Sequence, residues 1–351
     1  MAAKPLVRVV GSLNIDIVTV TPSIPHSGQT LTAISRSIGA GGKGANQAVA
    51  CGRAAFISKT EQDLDVEIIG AVGADDPQFH SLLEPMLRQS GVGTSGVAKV
   101  HGAQTGTSII LVDESSNYNN SILFNPGANY DGMRDLNQIL SVATATAWAT
   151  ASTRLPDVVV MQGEIPLETT LGLLKHFNEE TNKTCVVLNP APMFPQGIAS
   201  EALMGLAVLI VNESECIQLA QSLGINFLRF ESTNDKLERP QLDHIANHLQ
   251  QAAGIKNVIV TLGSDGAYFA AQSGLKNRVL SAKVEKVVDT TAAGDTFAGF
   301  FAAALARHIG AGGVLQNFDL PSAVNFANLA AAKSVQHSGS MKSIPFGYDL
   351  A

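Results

Sequence analysis

A chain of 351 residues, 45% hydrophobic and 15% charged, is long enough for a large core and has a globular composition. Its formal net charge of −7 excludes the broad basic surface that nucleic acid or an anionic membrane requires, although amides, a metal and a few cations could still hold a small anion. The three cysteines, Cys51, Cys185 and Cys216, form no CxxC pair and no metal-ligand spacing, which points to a reducing cytosol.

The opening residues MAAKPLVRVV contain no secretory apolar core, and stretches such as LMGLAVLIV (203–211) are about half of the ~20 residues a membrane span needs. The expectation is a soluble intracellular protein, cytoplasmic with the nucleus as a further compartment, and with no nucleic-acid or membrane partner.

Chain order begins with the apolar run VRVVGSL (7–13), read as the first core strand. Asn14 and Asp16 follow it two residues apart, so in extended chain they face the same way and could clamp neighbouring hydroxyls of a sugar, or could be plain turn residues. Residues 17–38 and 105–124 have the pattern of strand pairs with Pro, Gly and Asn turns, enough for a small second sheet. Between them, IGAGGKGANQAVACG (38–52) satisfies GxGxxG through Gly39, Gly41 and Gly44, with Glu61 and Asp63 about twenty residues on. A dinucleotide fingerprint should follow the first core strand, which lies some thirty residues earlier. A phosphate-binding P-loop fails because Gly44 stands where Ser or Thr is required. The glycines either let a ligand approach the backbone, with Lys43 and Asn46 as added donors, or serve tight packing.

Further core strands are EIIGAVG (67–73), DVVVMQ (157–162), CVVLN (185–189), AVLIVN (207–212) and NVIVTLG (257–263), with amphipathic helices LETTLGLLKHF (167–177) and LDHIANHLQQA (242–252) between them. Near-continuous apolar strands alternating with helices predict an α/β fold, a mainly parallel sheet covered on both faces, with ligands at the carboxyl ends of its strands. Segments 142–154 and 229–241 read as irregular chain and a surface insertion. Several strand ends carry polar residues: Glu164, Asn212 with Glu215, and TLGSDG (261–266). Helix-start charge, a capping pattern and a plain hairpin would explain them one at a time. Their shared location is what favours a site. Finally, VVDTTAAGDTFAGFFAAAL (287–305) sets Asp295 ahead of a buried helix, either as its cap or as an acid acting on a ligand.

Taken together, GSLNID (11–16), GGKGANQAVA (41–50), GAVGADD (70–76), MQGE (161–164), NPAP (189–192), VNESE (211–215), TLGSDG (261–266) and DTTAAGDTFAG (289–299) resemble, in order and spacing, the ribokinase-like (PfkB-type) sugar kinases. N-x-D, MQGE and NPAP narrow the resemblance to the ribose-acting branch, although GADDPQF lacks the usual glycine after its phenylalanine. The resemblance covers nearly the whole chain and implies one kinase domain with a β lid formed by about 14–40 and 101–127. It implies transfer of the ATP γ-phosphoryl group to the 5-hydroxyl of D-ribose. Asn14, Asp16, Gly42, Lys43, Gly44, Ala45, Asn46 and Glu164, with Asp295, match sugar-contacting positions. Asn212, Thr261, Leu262, Gly263, Ser264, Asp265, Gly266, Gly294, Asp295 and Asn328 match nucleotide positions, and Glu215 matches an acid associated with Mg²⁺ and phosphate. Asp289 and Thr291 match a K⁺ site completed by Ser334, His337, Gly339 and Ser343. A homodimer through the lid is likewise implied.

Phosphoryl transfer asks mainly for positioning and charge stabilisation. Amides of Ala292, Ala293 and Gly294 at a helix start would make an anion hole, and Asp295, its negative charge favoured there, would be the general base. The competing readings are a kinase for deoxyribose, a nucleoside or a sugar phosphate, a catalytically silent ribose or nucleotide sensor, and, most distantly, a dinucleotide-dependent oxidoreductase.

Overall fold

The computed structural model describes residues 3–115, 119–145, 155–179, 181–226 and 236–350. Alternating burial explains its large sheet. Val158 and Val160 enter one apolar cluster while Val159 and Met161 enter the other, and Val208 with Ile210 and Leu209 with Val211 divide in the same way. A strand covered on both faces must be apolar at successive positions, as VVVM, CVVL and VLIV are.

The sheet has nine strands among the described residues, in the spatial order Lys276–Val279, Ala267–Ala271, Asn257–Thr261, Val208–Asn212, Cys185–Leu188, Val158–Met161, Leu6–Val10, Asp65–Gly73 and Val92–Val100. Neighbours are parallel except at one edge, where Ala267–Ala271 pairs antiparallel with both Asn257–Thr261 and Lys276–Val279. The six expected core strands are all present. Val92–Val100 and the two antiparallel edge strands were not anticipated, and TLGSDG joins two of the antiparallel strands through a short turn at Gly263–Asp265.

A separate four-stranded sheet, in the order Ser35–Gly41, Asn14–Thr21, Gly106–Asp113 and Asn119–Asn125, realises the expected second sheet. Of the supposed irregular segment 142–154, residues 142–143 close the helix Leu136–Ala143, and 146–154 lie outside the described residues. Of the supposed insertion 229–241, residues 229–235 lie outside them. Residues 239–241 instead begin the helix Arg239–Ala252, with Pro240 in its first turn and a capping box between Glu238 and Gln241.

Helices Lys43–Ala54, Ala293–Gly310 and Leu320–Ser334 cover one face, and Leu167–Phe177, Glu213–Ser222 and Arg239–Ala252 the other. The first two cross closely because small residues meet. A Cβ on Gly299 would overlap Ala50, and the Cys51 thiol donates to the Gly299 carbonyl at 3.4 Å. Phe297, Phe300 and Phe301 are fully buried from the next turns, each worth about 1.5–3 kcal/mol of apolar transfer. The start of helix Ala293–Gly310 is therefore held rigidly against the start of helix Lys43–Ala54. Among the described residues, no helix is long and apolar enough to cross a membrane.

Candidate active site

The parallel strands end together. Asn189 follows Cys185–Leu188, Asn212 closes Val208–Asn212 and Thr261 closes Asn257–Thr261. With Lys43, Glu215, Thr290 and residues 292–295 they line a cavity of about 190 Å³.

Asp295 lies in the first turn of helix Ala293–Gly310 but does not cap it. The cap position is Ala292, in the left-handed conformation at φ 61, the one non-glycine positive φ among the described residues. Such a conformation costs of order 1–3 kcal/mol and persists only where its surroundings enforce it. Here Thr296 grips the Ala292 carbonyl with both its amide and its hydroxyl, each at 2.8 Å. Of the three amides expected to form an anion hole, that of Ala293 donates to the Thr290 carbonyl at 3.2 Å. The Ala292 and Gly294 amides have no acceptor among the described residues, Gly294 is exposed, and a Cβ there would meet nothing within 4 Å.

The Asp295 carboxylate is buried and held at both oxygens. Asn46 Nδ2 donates to Oδ2 at 2.9 Å and Gln47 Nε2 to Oδ1 at 2.9 Å. Asn46 Oδ1 is buried without a donor among the described residues, so its amide steadies Asp295 at one end and keeps an acceptor at the other.

Asn14 and Asp16 share a face of strand Asn14–Thr21, as their spacing predicts. Asn14 Nδ2 reaches Ser108 Oγ at 3.5 Å, and Asp16 also bonds the Ser108 side chain. Burial pushes the Asp16 carboxyl up to about 7, with the Glu164 and Asp295 charges adding to the rise against the Ser108 bond and Lys43. Glu164 receives Ser12 Oγ at 2.5 Å, the Lys43 amide at 2.9 Å and Asn14 Nδ2 at 3.4 Å, all on Oε2. Burial nonetheless raises its carboxyl. Burial alone would lower the half-buried Lys43 ammonium, but Asp295, Glu164, Glu215 and Asp16 outweigh it and raise it. The four acids around this single cation favour its charged form.

Packing requires three glycines of this stretch. Gly42 has φ 91, and a Cβ there would lie 2.7 Å from the Asn14 amide; on Gly41 it would overlap the Asp16 carboxylate and on Gly44 the Ser12 backbone. The amides behind it are used internally. Lys43 donates to Glu164, Gly44 to Ser12 Oγ at 3.2 Å, and Ala45 to the Ser12 carbonyl at 2.9 Å. This helix start is therefore not an open anion site.

On the opposite side of the cavity, Asn212 and Glu215 form a reciprocal capping box, with bonds of 2.9 and 2.8 Å, while still lining the cleft. Burial raises the Glu215 carboxyl. Leu262 is buried, and Asp265 turns to Lys236 at 3.0 Å and Arg278 at 3.5 Å. Asn328 donates to the Val279 and Leu280 carbonyls at 3.4 Å. Farther along, Asp289 ties two segments together by accepting from the Thr291 and Gly339 amides, each at 2.9 Å. Burial alone would raise its carboxyl, but the Thr291 side chain, with the Gly339 and Thr291 amides, holds it below the usual range. Ser334 and Ser343 donate to the Ala331 and Ser340 carbonyls, and His337 is exposed.

Sequence reasoning missed Gln47 and Asn129. Asn129 Nδ2 holds Asn14 Oδ1 at 2.7 Å, and its Oδ1 accepts the Leu13 amide at 2.9 Å, so it sets the Asn14 amide. The available signal for Gln47 was a polar pair, Asn46-Gln47, followed by the small apolar run Ala48–Cys51 in the same helix.

Strand ends, a helix start and clustered charges converge on one cleft at the carboxyl ends of the parallel strands, the place where α/β folds of this kind bind ligands. Residues 4–346 match the pfkB family carbohydrate kinase model, and the chain belongs to that family of kinases. Schizosaccharomyces pombe ribokinase is 32% identical over 339 residues, covering 96% of this chain and 94% of the relative. The crystal structure of Thermotoga maritima ribokinase is 31% identical with a TM-score of 0.75, covering 99% of this chain and 98% of that one. Arabidopsis thaliana ribokinase, solved with ribose and ATP, is 27% identical with a TM-score of 0.75 over 100% and 98% of the two chains.

Proposed function

We propose that this kinase transfers the γ-phosphoryl group of ATP to O5 of D-ribose. The observation that carries the reading is the Asp295 carboxylate, held at both oxygens beside a helix start with open amides. The ribose and ATP bound to the Arabidopsis relative support the choice of substrates. Asn14, Asp16, Lys43, Asn46 and Glu164 hold the sugar so that O5 lies in line with the γ-phosphorus. As the O5–P bond forms and the bond to the ADP oxygen breaks, the hydroxyl proton passes to Asp295. The Ala292 and Gly294 amides and Lys43 stabilise the transferring charge.

Asn212, Thr261–Gly266 and Asn328 take the nucleotide. Glu215, a carboxylate on the cleft wall, fits one ligand of a Mg²⁺ otherwise held by phosphates and water, which would neutralise phosphate charge. Asp289, Thr291, Ser334, His337, Gly339 and Ser343 are assigned to K⁺, which would keep the neighbouring turn in shape; the Asp289 carboxylate, already tied to the Thr291 and Gly339 amides, supports that assignment. The small sheet acts as a lid. Its exposed Ile34, Ile38, Ile109, Ile122 and Leu123 favour pairing with a second copy, and the cytoplasm is the proposed location.

The test is ADP formation from ATP with a panel of sugars, in K⁺ and in a large organic cation. Ribose-dependent turnover giving ribose 5-phosphate, faster in K⁺, is expected. Preference for deoxyribose or a nucleoside replaces the substrate, no sugar-dependent turnover points to a sensor, and equal rates in both cations remove the K⁺ role.

A further inference from the structure

We propose that Gln47 is a positioning residue, oriented through Asn189 and Gln162, that fixes the Asp295 carboxylate for proton abstraction; this rests on Asp295 being the general base. Gln47 is fully buried and each of its amide hydrogens is committed, one to Asp295 Oδ1 at 2.9 Å and one to Asn189 Oδ1 at 3.0 Å. Its Oε1 accepts from Gln162 Nε2 at 2.7 Å.

The direction of every bond follows from the ends of the chain. The Ile210 carbonyl can only accept, so Asn189 must turn its NH₂ there, at 2.9 Å, and its oxygen to Gln47. Asp295, as a carboxylate, can only accept, so the Gln47 NH₂ faces it as well. The Gln47 oxygen is then left for the Gln162 NH₂. Flipping any amide would set oxygen against oxygen or nitrogen against nitrogen in a buried site, at the cost of unsatisfied polar groups. The carbonyl of Ile210, in the middle of core strand Val208–Asn212, thus sets the orientation of the reacting carboxylate through two side chains, while Asn46 holds its other oxygen. Each carboxylate oxygen has one amide partner and keeps lone-pair capacity for the sugar hydroxyl.

Gln47→Met removes the donor at similar volume. kcat with ribose and ATP should fall about 10–100-fold while both KM values stay within about twofold, the signature of lost alignment rather than lost binding. Gln162→Met should give a smaller fall. The double variant should be no worse than Gln47→Met alone, because Gln162 acts only through Gln47. In an Asp295→Asn background, Gln47→Met should cost nothing further. Gln47→Glu, which keeps the shape and charge-blocks the donor, should lose kcat as well, and it serves together with Gln162→Met if Gln47→Met does not fold. Normal kcat in Gln47→Met or Gln47→Glu with Asp295→Asn inactive overturns the positioning role alone, as does a Gln47 effect that persists without Asp295. Normal turnover in Asp295→Asn overturns the general-base reading itself.

Discussion

Two helix starts meet in this molecule, and both are announced by glycine. The start of Lys43–Ala54 is closed: Gly41, Gly42 and Gly44 have no space for a Cβ, and the amides of residues 43–45 are taken by Glu164 and Ser12. The start of Ala293–Gly310 is open: Gly294 is exposed with nothing within 4 Å of its missing Cβ, and a left-handed Ala292 carries an amide with no acceptor among the described residues. Similar letters therefore serve opposite ends. The first start is a mount that aims Lys43, Asn46 and Gln47; the second has its dipole and two amides uncommitted, which is why the proposed function gives them the phosphoryl group. Glycine content alone does not identify an anion site. What identifies it is which amides remain unused after folding.

The sharpest way to break this contrast is substitution of its two glycines. Gly294→Val should cut kcat by ~10²-fold through obstruction of the proposed anion hole, as loss of an oxyanion donor does, with little change in Tm. Normal kcat would mean that the open start is idle. Gly44→Ala should do the reverse, destabilising by ~1–3 kcal/mol as its Cβ meets the Ser12 backbone, with kcat of the folded fraction within a few-fold of wild type. Thermal melts and steady-state kinetics on both variants decide the matter.

A smaller effect concerns Asp16, which the closed mount buries. Its carboxyl is raised from 3.8 to about 7, so the native state holds a proton that the unfolded chain has released. The stability linked to this group is fully present below pH 3.8 and is lost as pH rises through about 7. Asp16→Asn should flatten Tm against pH across that window and melt above wild type at about pH 8, while Asp16→Ala loses ribose use. A wild-type pH profile in Asp16→Asn would show that the acid is not buried in this way in solution.

The parallel core was legible because strands buried on both faces must be apolar throughout. The helix Leu167–Phe177 was legible because its apolar positions repeat at helical spacing. Val92–Val100, VGTSGVAKV, was not, since small residues and partial exposure erase that signal. KNRV at the antiparallel edge is too short and polar to stand out. In the site, the first-turn acid and the N-x-D pair could be read directly. Gln47 and Asn129 could not, because a buried amide bonded to another side chain looks, in one dimension, like any polar residue of a helix or turn. The use of the glycines was undecidable for the same reason: it depends on Ser12 and Glu164, which are distant in the chain.

The central claim, that Asp295 at the open helix start takes the proton of the sugar hydroxyl, is tested most directly by Asp295→Asn measured for turnover and for binding together. The account predicts kcat reduced by ~10²-fold or more, with ribose and ATP affinities by calorimetry close to wild type. Near-normal turnover, or a loss confined to binding, would contradict it.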